Sequence, residues 1–255
     1  MLLEVKDLNI SLTSGKSVAE HISFQLGQEE MLSIVGSSGA GKTTICKAIM
    51  GLLGNAYRAA GEILFQEENL LDLPERKRQA IYGKEICLIM QNPMTAFNPS
   101  IRVGRQLEKT YLLHHGKTPR QEMQRLFADI LQRLGLEDTQ RILNSYPFTL
   151  SGGMLQRLMI AAALMCQPAL LVADEATTAI DACNRIGLMR ELKSFCKDGM
   201  SVLFVTHDLR SASVSDRILV MDRGQIVEQG KTEQILNAPK EDYTKYLLNA
   251  CRLER

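Results

Sequence analysis

The sequence predicts an α/β fold built on a parallel β-sheet that is buried on both faces. Three apolar runs in the second half of the chain carry this prediction, at residues 170–173, 202–205 and 217–221. Continuous apolar runs separated by helical segments are typical of parallel strands with helices on both sides. Residues 103–143 differ, because their apolar side chains recur at steps of three and four among many charges. This segment predicts a helical block inserted between the two halves of the sheet.

The N-terminal residues predict a second, smaller sheet. Polar and apolar residues alternate over 4–6, 9–12 and 21–26. Alternation with a period of two is typical of antiparallel strands that have one buried face and one exposed face.

The next segments alternate between strands and helices. Residues 31–35 are apolar and predict a buried strand, and good helix formers follow from 43 to 53. Gly54 suits the C-cap of that helix. Two further strands are predicted at 61–65 and 85–90.

A glycine-rich loop between the strand at 31–35 and its helix fits the phosphate-binding pattern G-x-x-x-x-G-K-[ST]. Its glycines let backbone N–H groups approach phosphate oxygens, and the helix directs the positive end of its dipole there. Lys42 supplies an ammonium for the outer phosphates, and the Thr43 hydroxyl can reach Mg²⁺. A glycine turn that binds nothing is the alternative, and the flanking strand and helix argue against it. The predicted nucleotide-binding residues are Gly36, Ser37, Ser38, Gly39, Ala40, Gly41, Lys42, Thr43 and Thr44.

Two carboxylates follow the apolar run at 170–173. Asp174, emerging beside the phosphate loop, would hold Mg²⁺ through water or Thr43, and Glu175 would polarise an attacking water as general base. An acidic pair that merely caps a helix N-terminus is the alternative. The upstream phosphate loop favours the catalytic interpretation.

A second anion-binding helix terminus is predicted at Ser151. Ser151 is a natural N-cap, and Gly152 and Gly153 expose N–H groups at the start of a long apolar helix. A single nucleotide site needs only one phosphate-binding helix terminus, and the phosphate loop already provides it. The second terminus, at Ser151, therefore needs another explanation.

The composition excludes several classes of protein. The formal net charge of +1 gives no basic field for nucleic acid, and no apolar run reaches the roughly 18 residues of a membrane span. Charges at Glu4, Lys6 and Asp7 argue against a signal peptide, so we expect a cytoplasmic chain.

The six cysteines form no C-x-x-C pair, which favours reduced, mostly buried thiols over zinc ligands or disulfides. His114 and His115 are expected to be solvated.

With these motifs in order, the chain resembles the ATP-binding subunits of ABC transporters over essentially its whole length. The resemblance implies the P-loop NTPase fold, with a RecA-like parallel sheet core, an N-terminal antiparallel β subdomain and an inserted α-helical subdomain. It also implies ATP hydrolysis, with ATP and Mg²⁺ as cofactors. The motifs are the phosphate loop, the glutamine loop at Gln91, the signature Leu150, Ser151, Gly152 and Gly153, the Walker B pair Asp174 and Glu175, the D-loop Asp181 and the switch histidine His207.

The resemblance also implies roles for single residues. In the family, the signature of one subunit closes over the ATP on the phosphate loop of a second subunit, which accounts for the second anion site. Gln91 is expected to contact the metal and the attacking water, and His207 to hold the γ-phosphate and Glu175 in register. The predicted partner-nucleotide contacts are Ser151, Gly152, Gly153 and Met154. The predicted catalytic residues are Glu175, His207 and Gln91, and the predicted Mg²⁺ ligands are Thr43, Gln91 and Asp174.

Finer similarity points to the importers of dipeptides, oligopeptides and nickel. Residues 91–99, Tyr146 with Pro147 and the tail at 237–248 resemble this group, and Leu155 after the signature is closer to the nickel importer D subunit. The implied partners are a second ATPase subunit, expected to be a paralogue, two transmembrane permease subunits and an extracytoplasmic substrate-binding protein, without nucleic acid. The implied location is peripheral, on the cytoplasmic face of the cell membrane. Nickel, a metal–chelator complex and a short peptide all stay open as cargo.

One position departs from the family. Leu12 stands where an aromatic residue usually stacks on adenine, which predicts modest nucleotide affinity and loose base selectivity. A non-transport ABC ATPase is the alternative of another class, but DNA-repair and chromosome-organising members carry long heptad arms that this sequence lacks. Translation factors carry two tandem cores, and a small-molecule kinase would lack the signature.

We expect one ABC ATPase domain in three parts. Residues 1–92 and 168–230 form the nucleotide-binding core, residues 93–167 form the helical signature subdomain, and residues 231–255 form a helical tail.

Overall fold

The computed structural model describes residues 1–176 and 182–253, which form two β-sheets and their flanking helices. In chain order the strands are β1 (Leu3–Leu12), β2 (Ser17–Leu26), β3 (Met31–Gly36), β4 (Tyr57–Phe65), β5 (Glu68–Asn69), β6 (Ile86–Ile89), β7 (Leu170–Asp174), β8 (Ser201–Thr206), β9 (Arg217–Asp222) and β10 (Gln225–Lys231). The α-helices are α1 (Lys42–Ile49), α2 (Glu75–Ile81), α3 (Val103–His115), α4 (Arg120–Arg133), α5 (Thr139–Asn144), α6 (Gly152–Leu164), α7 (Ala182–Cys196), α8 (Leu209–Ala212), α9 (Thr232–Asn237) and α10 (Asp242–Leu253).

The larger sheet confirms the predicted parallel core. Its six strands run in the order β10-β9-β3-β8-β7-β6, and every neighbouring pair from β9 to β6 is parallel. Both faces are covered, because alternate residues of one strand enter different apolar clusters. On β8, Val202 and Phe204 pack with the helical block, whereas Leu203 and Val205 pack with α1 and the smaller sheet. The continuous apolar runs of the sequence therefore reflect burial on both sides.

The smaller sheet confirms the predicted antiparallel strands. Its order is β2-β1-β4-β5, and each neighbouring pair is antiparallel. The two short segments predicted at 4–6 and 9–12 belong to one strand, β1. Asp7 interrupts the alternation there, since its φ is +44° and the pairing with β4 shifts between Lys6 and Asn9.

Helix α1 ends earlier than the sequence suggested. The helix stops at Ile49, and the left-handed residue after it is Gly51, with φ of +64°. The Gly51 N–H donates to the Ala48 carbonyl and the Leu52 N–H to the Lys47 carbonyl, which is the Schellman arrangement. The prediction of a C-cap at Gly54 was wrong, because Gly51 already terminates the helix three residues earlier.

The helical block confirms the amphipathic pattern. Helices α3 to α6 lie between β6 and β7 in the chain, and the predicted stripe on α4 faces inward. The buried members of that stripe are Met123, Phe127, Ile130 and Leu131. The division into core, signature subdomain and tail stays a prediction.

Two histidines at the end of α3 differ from expectation. His115 is exposed, as predicted, but its ring stacks on Tyr111 with centroids 4.4 Å apart, and its Nε2 lies 2.8 Å from the Met165 carbonyl oxygen. His114 is half-buried, and burial lowers the pKa of its imidazole. The expectation of two solvated side chains was therefore wrong for His114.

The C-terminal part adds a strand that the sequence did not reveal. Strand β10 pairs antiparallel with β9, and α9 and α10 follow it. Over residues 1–176 and 182–253, no helix is long and apolar enough to cross a bilayer.

Candidate functional site

The candidate site lies where neighbouring parallel strands end. Strand β3 runs into the phosphate loop, β7 into Asp174 and Glu175, β8 into His207, and β6 into Gln91. Since β3, β8, β7 and β6 are adjacent in the sheet, their carboxyl ends open at one edge. Binding at this edge is the general rule for open α/β sheets.

The phosphate loop requires glycine at two of its positions for different reasons. At Gly36 an added Cβ would lie 2.2 Å from the Met221 carbonyl oxygen, so there is no room for a side chain beside β9. Gly41 is the N-cap of α1, with φ of +97°, and an added Cβ would lie 2.8 Å from the Val18 carbonyl oxygen. The loop therefore presents bare backbone at the start of α1, which has no acidic residue in its first turn.

Lys42 is held inside this loop. Its side-chain Nζ donates to the carbonyl oxygens of Gly36 and Ser37, both at 2.8 Å, and the residue is only 5% exposed. Burial lowers the pKa of Lys42, although the charges of Glu175 and Asp174 oppose that change. The ammonium is thus positioned beside the loop by oxygen acceptors that a phosphate could supplement.

Thr43 and Asp174 meet across the loop. The Thr43 hydroxyl donates to Asp174 Oδ1 over 3.2 Å, and burial raises the pKa of Asp174. A partly buried carboxylate beside a hydroxyl is an oxygen donor set that suits a hard divalent cation. The nearby positive charge of such a cation would also offset the burial of Asp174.

Glu175, which follows β7, contacts side chains that follow the two neighbouring strands, β6 and β8. Its Oε2 accepts a hydrogen bond from Gln91 Nε2 at 2.8 Å, and its Oε1 lies 3.2 Å from His207 Nδ1. The backbone of Glu175 is left-handed, with φ of +51°, and its N–H donates to the Val205 carbonyl. A non-glycine residue with positive φ is uncommon and is frequent at functional sites. All three predicted catalytic side chains therefore lie together.

The predicted signature begins helix α6. The Ser151 hydroxyl oxygen accepts a hydrogen bond from the Met154 N–H at 3.2 Å, as expected of an N-cap. Ser151 and Gly152 are exposed, so this helix terminus faces solvent in the single chain. The predicted D-loop residue Asp181 lies outside the described residues.

Two aromatic residues that contact predicted nucleotide-site positions were missed by the sequence analysis. Tyr57 on β4 pairs directly with Leu12 of β1, the position at which the aromatic was expected. The Tyr243 hydroxyl on α10 accepts a hydrogen bond from the Ser37 N–H of the phosphate loop at 3.0 Å. No local pattern could reveal the second contact, because 206 residues separate the two partners.

Three features define a P-loop nucleotide triphosphatase. The phosphate loop follows β3, the acidic pair follows β7, and the histidine follows β8, which lies between those two strands. Comparison with known proteins narrows this class, since the family model described as ABC transporter matches residues 19–178. The chain belongs to the ABC transporter family and is an ATP-hydrolysing enzyme.

Similar curated proteins are ATP-binding proteins of import or transport systems. The metal-staphylopine import system ATP-binding protein CntD of Staphylococcus aureus (strain Mu50 / ATCC 700699) is 39% identical over 251 residues, 97% of this chain and 92% of that protein. The dipeptide transport ATP-binding protein DppD of Haemophilus influenzae is 39% identical, over 98% of this chain and 77% of its own length. The oligopeptide transport ATP-binding protein OppD of Bacillus subtilis is 41% identical, over 97% of this chain and 71% of its own length.

A solved structure supports the fold. The dimeric post-hydrolysis state of the ATP-binding cassette MJ0796, bound to ADP and Pi, matches with a TM-score of 0.79 at 26% identity. The match covers 91% of this chain and 99% of that one.

Proposed function

We propose that this chain is the ATP-binding subunit of an importer and drives uptake of nickel or a related metal, free or as a metal–chelator complex. The observation that carries the ATPase role is the cluster of Glu175, Gln91 and His207 beside Lys42 at one sheet edge. Such a cluster can bind a triphosphate and direct water at it in one place.

The geometry supports the following proposed catalytic roles. Lys42 donates its remaining N–H to the outer phosphates, while the carbonyl oxygens of Gly36 and Ser37 keep its ammonium in place. Glu175 accepts a proton from the attacking water as general base, and its two hydrogen-bond partners fix the direction of its carboxylate. Gln91 and His207 hold that carboxylate and contact the water and the γ-phosphate, respectively.

The residues present fit Mg²⁺. Thr43 and Asp174 would hold the ion, with Gln91 as a further oxygen donor, and all of these are the oxygen ligands that Mg²⁺ prefers. Bound there with ATP, the ion would neutralise phosphate charge that develops during hydrolysis.

The functional unit is a pair of ATPase subunits. The exposed terminus of α6, with Ser151, Gly152, Gly153 and Met154, would contact ATP on the phosphate loop of a partner subunit. We propose a paralogue as that partner, with Asp181 near the same interface. Two transmembrane permease subunits and an extracytoplasmic substrate-binding protein complete the importer, with this chain peripheral on the cytoplasmic face of the membrane.

The cargo has two candidates, and relatives support both. The CntD protein is named for import of a metal with staphylopine, and it matches nearly the whole of this chain. The DppD and OppD proteins are named for dipeptide and oligopeptide transport at similar identity. The second candidate function is therefore the same ATPase role in a peptide importer.

Uptake by cells with and without this chain would separate the candidates. Deletion should reduce accumulation of radioactive nickel supplied with a chelator and leave dipeptide uptake intact. Re-expression of the natural sequence should restore nickel uptake, and Lys42→Ala should not. Loss of peptide uptake alone would favour the second candidate, and loss of neither would overturn both.

A further inference from the structure

Helix α10 reaches back from the C-terminal region to the phosphate loop. The phenol oxygen of Tyr243 accepts the Ser37 N–H at 3.0 Å, and the Tyr243 side chain is half-buried. Ser37 follows Gly36 directly, and its carbonyl oxygen accepts hydrogen bonds from Lys42 Nζ and from the Ala40 N–H. The Ser37 N–H shares a planar peptide group with the Gly36 carbonyl, whose oxygen accepts a hydrogen bond from Lys42 Nζ at 2.8 Å. Tyr243 therefore holds the N–H of the same peptide group whose carbonyl oxygen holds Lys42.

Both ends of α10 are secured by polar contacts. Before its first turn, the Glu228 carboxylate of β10 accepts the N–H groups of Lys240 and Glu241 at 2.8 and 3.2 Å. In its last turn, the Cys251 carbonyl oxygen accepts a hydrogen bond from the Arg210 guanidinium. Arg210 lies on α8, three residues after His207.

The apolar side of α10 packs on the same two regions. Leu247 and Leu248 belong to a cluster with Val35, the last residue before Gly36, and with Leu209 of α8. Helix α10 therefore packs against both β3, which leads into the phosphate loop, and α8, the short helix that follows His207.

We propose that Tyr243 is a positioning residue of the ATP site, which fixes the peptide group between Gly36 and Ser37 and with it the Gly36 carbonyl oxygen that orients Lys42. The inference rests on the phosphate loop being the ATP site. Tyr243 acts through the loop, because its oxygen already accepts the Ser37 N–H. Through Arg210, α10 also connects the loop to the segment after His207.

The decisive test compares Tyr243→Phe with Tyr246→Phe in ATP hydrolysis by the full chain. Tyr243→Phe keeps the ring and removes the acceptor, so KM for ATP should rise about three- to tenfold, the ratio that one hydrogen bond supports, while kcat stays within twofold. Tyr246 is on the same helix, 67% exposed, and serves as the matched control with unchanged KM. The melting temperature of the nucleotide-free protein should be the same for both variants.

A double-mutant cycle isolates the proposed contact. Ser37→Pro removes the N–H donor, and Gly36 lies in a strand, the conformation that a following proline requires. In the Ser37→Pro background, Tyr243→Phe should add no further change in KM, since the hydrogen bond is already absent.

The outcomes separate this inference from the proposed function. An unchanged KM in the single variant Tyr243→Phe would overturn the role of Tyr243 even if the natural chain hydrolyses ATP normally. An equal fall in melting temperature and in kcat would show a merely structural tyrosine and would also overturn it. Failure of the natural chain to bind ATP would instead overturn the ATP site on which the inference rests.

Discussion

Among single residues, Glu175 shows how the fold holds a charged side chain in one orientation. Its carboxylate contacts Gln91 on one oxygen and His207 on the other, and its side chain is only 20% exposed. Left-handed backbone at a residue other than glycine costs roughly 1–3 kcal/mol. The Val205 carbonyl accepts the Glu175 N–H and helps to maintain that conformation. A general base benefits from such fixed geometry, because less reorganisation is needed when water attacks.

A second residue pair predicts selective chemical reactivity. A hydrogen bond from the Cys87 thiol lowers the pKa of Cys166, and the same pairing together with burial raises the pKa of Cys87. At pH 8 the thiolate fraction should therefore be larger at Cys166, which is also more accessible. Iodoacetamide should modify Cys166 before Cys87 and Cys46, as measured by peptide mass spectrometry over time.

The matched variant for this reactivity is Cys87→Ala. Removal of the thiol donor should slow the alkylation of Cys166, because the thiolate loses its hydrogen bond. The pKa of Cys46 is raised strongly by burial, so faster modification of Cys46 than of Cys166 would contradict the prediction.

At the scale of elements, sequence analysis was reliable where a local pattern carries the structure. The loop from Gly36 to Thr43 and the cap at Ser151 depend on neighbours in the chain, so residue types predict them. The end of α1 was misplaced because two nearby glycines, Gly51 and Gly54, both suit a C-cap. The contact between Tyr243 and Ser37 depends on how distant elements pack, and no local pattern contains that information.

The junction between β3 and the phosphate loop predicts a steric limit. Gly36→Ala would direct a Cβ into the Met221 backbone oxygen at 2.2 Å, so β3 and β9 would have to separate. We expect a loss of about 1–3 kcal/mol in the free energy of unfolding, measured by urea denaturation. Gly187→Ala on α7 is the control, because nothing lies within 4 Å of its added Cβ, and alanine should stabilise the helix slightly. Equal stability of both variants would argue against a tight β3–β9 junction.

The end of β1 predicts base selectivity. With Leu12 in place of an aromatic residue, the isolated chain should bind ATP and GTP within a few-fold of each other, as measured by calorimetry. Leu12→Tyr should tighten ATP binding, since stacking adds about 0.5–1.5 kcal/mol. Tyr57 pairs with Leu12 and provides the test, because a large loss of ATP affinity in Tyr57→Leu would identify Tyr57 as the stacking residue instead.

At the scale of the whole molecule, two helix N-termini that we predict to bind phosphate lie in different parts of the fold. Helix α1 begins at the edge of the parallel sheet, whereas α6 begins in the helical block with Ser151 and Gly152 exposed. An exposed helix N-terminus with bare glycine N–H groups is a ready site for phosphate oxygens. Two copies arranged head to tail could place each α6 terminus against the other's phosphate loop.

Glu175→Gln tests this arrangement. The amide cannot accept a proton from water, so hydrolysis should fall at least about a hundredfold. ATP affinity should stay close to that of the natural chain, because Lys42 and the loop are unchanged.

If ATP joins two subunits, blocked hydrolysis should preserve the pair, and sedimentation with ATP and Mg²⁺ should show a dimer that ADP does not support. Ser151→Arg in the same background should remove the dimer by blocking the α6 terminus while leaving ATP binding intact. A dimer that forms only after a paralogous subunit is added would assign the second half of the site to that paralogue. Undiminished turnover by Glu175→Gln would show that another group activates the water.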